Sequence, residues 1–127
     1  MSTIPKDLKY TKSHEWIRFI DETTVEIGIT DFAQHALGDI VFVNLPQEGD
    51  TVAIMDVLAD VESVKAVSDI YSPVTGTVIE INAELLDAPE LLNKEPYEAW
   101  IVRIKDVEEI EETLDAENYE KLTAEEA

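Results

Sequence analysis

Lys65 is the only Lys or Arg between Asp21 and Asn93, in a chain where 29 acidic residues outnumber 9 Lys and Arg. It lies in Val61-Glu62-Ser63-Val64-Lys65-Ala66-Val67-Ser68-Asp69-Ile70-Tyr71, and the β-branched residues on both sides predict two short strands meeting in a tight bend. A lysine at such a tip offers a long flexible stem, an amine that can form an amide, and a rigid base that stays still while the stem moves. A swinging covalent cofactor needs these properties, and a modifying enzyme can reach the tip. The plain alternative is a solvated surface lysine, and isolation in the sequence does not by itself displace it.

Other chemistries find weaker support. His14 and His35 are too few and too far apart to suggest zinc, and no Cys is present to supply a thiolate. Asp56, Asp60 and Glu62 lack the alternation and glycine of a calcium loop, so a solvated strand face is the expected reading and no metal site is assigned. Ser63 and Lys65 at alternate positions share a side of the chain, yet no oxyanion loop accompanies them as a hydrolase would require. Trp16 and Trp100 read as core or rim aromatics.

The elements that must position these residues follow from periodicity. Glu15 to Ile20 and Val25 to Ile29, joined by Asp21-Glu22-Thr23-Thr24, read as a β-hairpin. Thr30 is a suitable N-cap for a helix over 31–37, and Gly38 suits its left-handed end. A strand is expected over 40–45, then a turn at Pro46 and Gly49, then a β-rich stretch over 52–61. Val67 to Tyr71 reads as a strand, Ser72-Pro73-Val74-Thr75-Gly76 as turn residues, and Thr77 to Ile81 as a strand again. Residues 82–96, with Pro89 and Pro96, read as loop with a helical turn before a strand over 99–104. Val107, Ile110 and Leu114 follow helical spacing behind Asp106, with Glu109 completing a capping box, and a last helical stretch takes in Tyr119 and Leu122. Many short strands and few helices predict a mainly β sandwich or barrel with a C-terminal helix.

With 127 residues and 45% hydrophobic residues, one domain is expected across 1–127, with a core over about 8–105 and an acidic helical segment over 106–127. The formal net charge of -20 repels phosphate backbones and anionic lipids, which excludes nucleic acid and membrane as expected partners. The absence of Cys suits a reducing compartment. The N-terminal residues show neither an apolar secretory core nor an Arg-rich transit pattern, and a cytoplasmic product is expected.

Glu62-Ser63-Val64-Lys65-Ala66, followed by Ser72-Pro73-Val74-Thr75-Gly76, resembles the lipoylation hairpin of the glycine cleavage H-protein family. Further landmarks occur in the family's order: Tyr10, Ser13-His14-Glu15-Trp16, Gly28-Ile29-Thr30-Asp31-Phe32-Ala33-Gln34, Leu37-Gly38-Asp39-Ile40-Val41-Phe42-Val43, Leu45-Pro46 and Pro96-Tyr97. The likeness runs from about Leu8 to Lys105. Pro96-Tyr97-Glu98-Ala99-Trp100 is shorter than the family's usual stretch there, which commonly carries Gly before Trp.

The resemblance implies a barrel-sandwich hybrid fold, lipoate in amide linkage on Lys65, and a carrier that catalyses nothing by itself. It implies that Ser13, Glu15 and Asp69 line a cleft for the loaded arm. The implied partners are the P protein (glycine decarboxylase), the T protein (aminomethyltransferase) and the L protein (dihydrolipoyl dehydrogenase), besides a lipoate ligase or octanoyltransferase and lipoyl synthase. In that scheme the carrier shuttles the aminomethyl group of glycine from P to T, and a monomer is expected. A biotinyl domain is the nearest rival, but such hairpins usually place Met on both sides of the lysine, where this chain has Val64 and Ala66. An excised 2-oxoacid dehydrogenase lipoyl domain is typically shorter and leaves Ser13-His14-Glu15-Trp16 unexplained. A lipoyl relay that donates the group to 2-oxoacid dehydrogenases stays open.

Overall fold

The computed structural model describes residues 3–126. Strands β1 (Lys9–Tyr10), β2 (Glu15–Asp21), β3 (Thr24–Ile29), β5 (Thr51–Val52), β8 (Val74–Ile81) and β9 (Val102–Ile110) form one sheet, in the order β1-β2-β3-β9-β8-β5. Strands β4 (Ile40–Asn44), β6 (Val57–Ser63) and β7 (Val67–Tyr71) form a second sheet, in the order β4-β6-β7. Helix α1 (Asp31–Leu37) links β3 to β4, while the short helices α2 (Glu84–Asp87) and α3 (Leu91–Lys94) occupy the connection from β8 to β9.

Alternation puts Ile17, Val25, Ile27, Val78 and Ile104 from the larger sheet into one core with Val43, Leu58, Val61 and Ile70 from the smaller. Leu85 of α2 and Leu92 of α3, both wholly buried, close its side. Helix α4 (Ala116–Glu126) packs Tyr119 on Tyr10, their rings 4.6 Å apart and nearly parallel, in a second cluster with Leu8 and Trp16. Trp16 lies flat across the Gly28 backbone, where a methyl group would stand 2.5 Å from its ring. Its indole N–H donates to the Pro96 carbonyl at 2.9 Å, which ties the hairpin to the stretch before Trp100. That stretch closes on itself, with the Ala99 N–H reaching the Glu95 carbonyl at 2.8 Å.

Two expectations are corrected. The helix placed behind Asp106 is strand: β9 runs on to Ile110, pairing Val74 with Ile110 and Thr75 with Glu109, so the boundary at 105/106 falls inside a strand. Asp106 takes φ 53° in the irregularity where the register shifts, opposite Gly76, and caps no helix. The helix proper starts after Asp115, whose carboxylate accepts the Asn118 N–H at 2.9 Å. Apolar residues at 107, 110 and 114 satisfied a helical period by coincidence, and pairing with Val74 and Thr75 at the start of β8 holds the segment as strand through Ile110 instead. The stretch over 52–61 is likewise two strands, broken by a turn in which the Asp56 carboxylate accepts the Ala53 N–H at 2.9 Å.

Candidate functional site

Lys65 stands at the tip of the β6–β7 hairpin. The ladder pairs Asp60 with Asp69, Val61 with Ser68 and Glu62 with Val67, leaving Val64-Lys65-Ala66 to make the bend. Ser63 clasps it: its N–H donates to the Ala66 carbonyl at 2.8 Å, and its hydroxyl oxygen accepts the Ala66 N–H at 3.1 Å and the Lys65 N–H at 3.3 Å. A serine side chain that closes a turn on its own backbone is a local device legible in sequence. Lys65 is exposed and makes no salt bridge among the described residues. Val64 and Val67 beside it are also exposed, at 69% and 66%, and Glu62 is half-buried.

The tip rests on the chain that follows α1. The Val64 N–H donates to the Asp39 carbonyl at 3.0 Å. Gly38, at φ 81°, ends α1 with its N–H on the Gln34 carbonyl, and a methyl group there would lie 3.5 Å from Cε of Lys65. The lysine stem therefore crosses backbone that carries no side chain. This left-handed position is one that glycine adopts without strain. The structure thus fits a covalent arm: an amine in solvent, no competing ion pair, and fixed backbone on both sides.

Ser13 and Glu15 meet directly. The Ser13 and Thr11 hydroxyls each donate to Oε1 of Glu15 at 2.6 Å, and a backbone hydrogen bond joins the same carboxyl to Tyr71 on β7. Glu15 is 1% exposed, and burial pushes its pKa up; the hydroxyls of Ser13 and Thr11 and the Tyr71 backbone oppose that rise, and the charge of Glu111 adds to it. Glu111, just beyond β9, is itself pushed up by burial and has a buried Oε1 without a partner among the described residues. Asp69 is exposed on β7, two positions before Tyr71 and hence on the same face, about 7 Å along the strand. It makes no hydrogen bond to Ser13 or Glu15 among the described residues. Glu15 thus lies under the surface as the bridge between the two sheets, with Ser13 exposed above it. Thr11, Tyr71 and Glu111 were not singled out from sequence, because their proximity to Glu15 depends on how the two sheets stack.

The remaining candidates are engaged structurally. His14, at φ 72°, places Nδ1 2.7 Å from the Tyr119 hydroxyl and Nε2 3.1 Å from Glu126, fastening α4. His35 is exposed and 3.5 Å from Asp31. Asp60 accepts from Nδ2 of Asn44 at 2.7 Å. Glu26, 7% exposed, is gripped by Arg18 at 3.1 Å and Arg103 at 2.7 Å, with the Arg103 guanidinium 4.0 Å from the Trp100 ring centre. Burial pushes the Tyr97 hydroxyl up to about 12, and its oxygen accepts the Asp31 N–H at 3.1 Å.

The family model described as glycine cleavage H-protein matches residues 8–126. The chain is 60% identical to the glycine cleavage system H protein of Lachnoclostridium phytofermentans, over 95% of each chain. It is 53% identical to the probable glycine cleavage system H protein of Pyrococcus furiosus, over 91% of this chain and 89% of that one. A crystal structure of a glycine cleavage system H protein from Mycobacterium marinum superposes with a TM-score of 0.89 at 37% identity, covering 95% of this chain and 99% of that one. The chain belongs to the glycine cleavage H-protein family, the lipoyl carriers of the glycine cleavage system.

Proposed function

We propose that this chain bears its lipoyl group in amide linkage on Nζ of Lys65 and acts as a substrate of other enzymes, with no catalysis of its own. The observation that carries the reading is the exposed Lys65 at a hairpin tip whose backbone is hydrogen-bonded on both sides. Bound there, the lipoyl group supplies a disulfide able to take up the aminomethyl unit of glycine together with electrons. The residues of this chain do the rest by orientation. Ser63 fixes the bend, Gly38 leaves room for the stem, and the exposed Val64 and Val67 give partners an apolar collar around the amine.

Ser13 and Asp69 supply an exposed hydroxyl and carboxylate, and the buried Glu15 carboxyl beneath accepts from the Ser13 hydroxyl, an arrangement suited to receive a cationic amine at the end of the arm. The partners of this reading are the P and T proteins, the L protein that regenerates the disulfide, and the enzymes that attach and complete the lipoyl group. The acidic surface favours partner faces with basic rims.

Glycine–bicarbonate exchange with added P protein is the test. Lipoylated wild type supports exchange, while the apo-protein and Lys65→Arg do not, and Lys65→Arg keeps a melting temperature within a few degrees because the side chain packs little. Exchange that persists without lipoate overturns the carrier reading.

A further inference from the structure

Asn93, on the inner side of α3, makes three hydrogen bonds to one short stretch of chain. Its Nδ2 donates to Oε1 of Gln34 and to the Gly38 carbonyl, both at 2.9 Å, and its Oδ1 accepts the Ile40 N–H at 2.8 Å. That N–H belongs to the Asp39–Ile40 peptide, whose carbonyl, pointing the opposite way, accepts the Val64 N–H at 3.0 Å. Asn93 and the hairpin tip therefore grip opposite edges of a single rigid peptide plane. Bonds in line through one peptide polarise each other, so loss of one weakens its partner. The same asparagine holds the carbonyl of Gly38, the residue over which the Lys65 stem runs.

We infer that Asn93 is a positioning residue for Lys65: it orients the Asp39–Ile40 peptide, and through it the Val64 N–H, so that the hairpin tip presents the amine in one direction. The inference rests on Lys65 as the lipoyl site, and deepens it by naming what aims the lysine. A tip so held is pre-organised for the enzyme that modifies it, and binding then spends little on ordering. In that reaction Nζ forms an amide with the lipoyl carboxyl, activated as an adenylate by the ligase, and AMP leaves. Asn93 touches none of the reacting atoms and acts by geometry alone.

The test uses the full-length apo-protein with a purified lipoate ligase, lipoate and ATP, together with hydrogen exchange resolved at single amides. Asn93→Ala should accelerate exchange of the Val64 N–H about tenfold more than that of Val61, deeper in the ladder. It should also raise the ligase KM for the apo-protein several-fold with kcat within about twofold. If that variant fails to fold, Asn93→Leu, which fills similar space but offers no oxygen to the Ile40 N–H, carries the same readouts. The exposed neighbour Lys94→Ala should leave both unchanged. An unaltered KM, or acceleration equal at Val64 and Val61, overturns the inference, the latter because it reports only lost stability. A ligase that leaves wild-type Lys65 unmodified overturns the lipoyl reading instead, and the exchange comparison then judges the Asn93 anchor on its own.

Discussion

Glu15 shows how one residue's environment becomes a measurable pH dependence. Burial raises its folded pKa above the unfolded value, so the folded state binds the proton more tightly. The stability this gives is fully present below the unfolded pKa and is lost as pH rises through the folded one. Glu15→Gln, which stays uncharged, should match wild type in mildly acidic buffer and melt higher as pH rises to neutral; thermal unfolding across that range checks it, and a gap independent of pH would contradict it. Combined with Asp69→Asn, the same change should speed formaldehyde release from the glycine-charged carrier, since an aminomethyl group carried on a thiol breaks down in water to ammonia, formaldehyde and free thiol unless solvent is kept away. Lys65 was legible in sequence as an isolated cation between β-branched strands, and Ser63 as a turn residue. Gly38 read only as a helix end, and Asn93 not at all. Their part depends on α3 meeting the chain after α1, a contact between residues 53 apart for the Ile40 bond that no local pattern encodes.

Among the elements, the β2–β3 hairpin, strand β7 and helix α1 lie close to their sequence-based bounds, because turn chemistry, alternation and the Thr30 cap all point the same way. The error lay at 106–114, where spacing suited a helix and pairing with the start of β8 made strand as far as Ile110. Strand pairing is non-local, and acidic residues between the apolar ones blur the alternation that would have shown it. Helix α4 beyond that point is held mainly through Tyr119. Its hydroxyl lies 2.7 Å from both Nδ1 of His14 and Oγ1 of Thr30, and burial raises its pKa, so it stays neutral. Tyr119→Phe removes that shared hydroxyl and should cost about 1–3 kcal/mol in urea unfolding. Lipoylation by the ligase should be unaffected, because α4 makes no hydrogen bond with the β6–β7 hairpin among the described residues. A variant as stable as wild type would show that stacking on Tyr10 alone secures the helix.

At the scale of the molecule, the structure is a rigid base built to hold one lysine out, carrying a charge of -20 that sets its behaviour in solution. Like charges spread over the surface repel one another, and salt screens them over a Debye length of about 8 Å at physiological ionic strength. The melting temperature should therefore rise from low to moderate sodium chloride, while association with P protein slows over the same range; a melting temperature that falls would mean that ion pairs such as Arg103–Glu26 outweigh the repulsion. The mainly β fold class and the hairpin-tip position of Lys65 were legible in the sequence, because local turns and alternation encode them, whereas the stacking of the two sheets that buries Glu15 was not. The most direct test of the whole account is peptide mapping, alongside intact mass, of protein made in a lipoate-competent host. One lipoyl group on Lys65 and on no other lysine is the predicted result; biotin at Lys65, or lipoate on Lys94 or Lys105 instead, would contradict it.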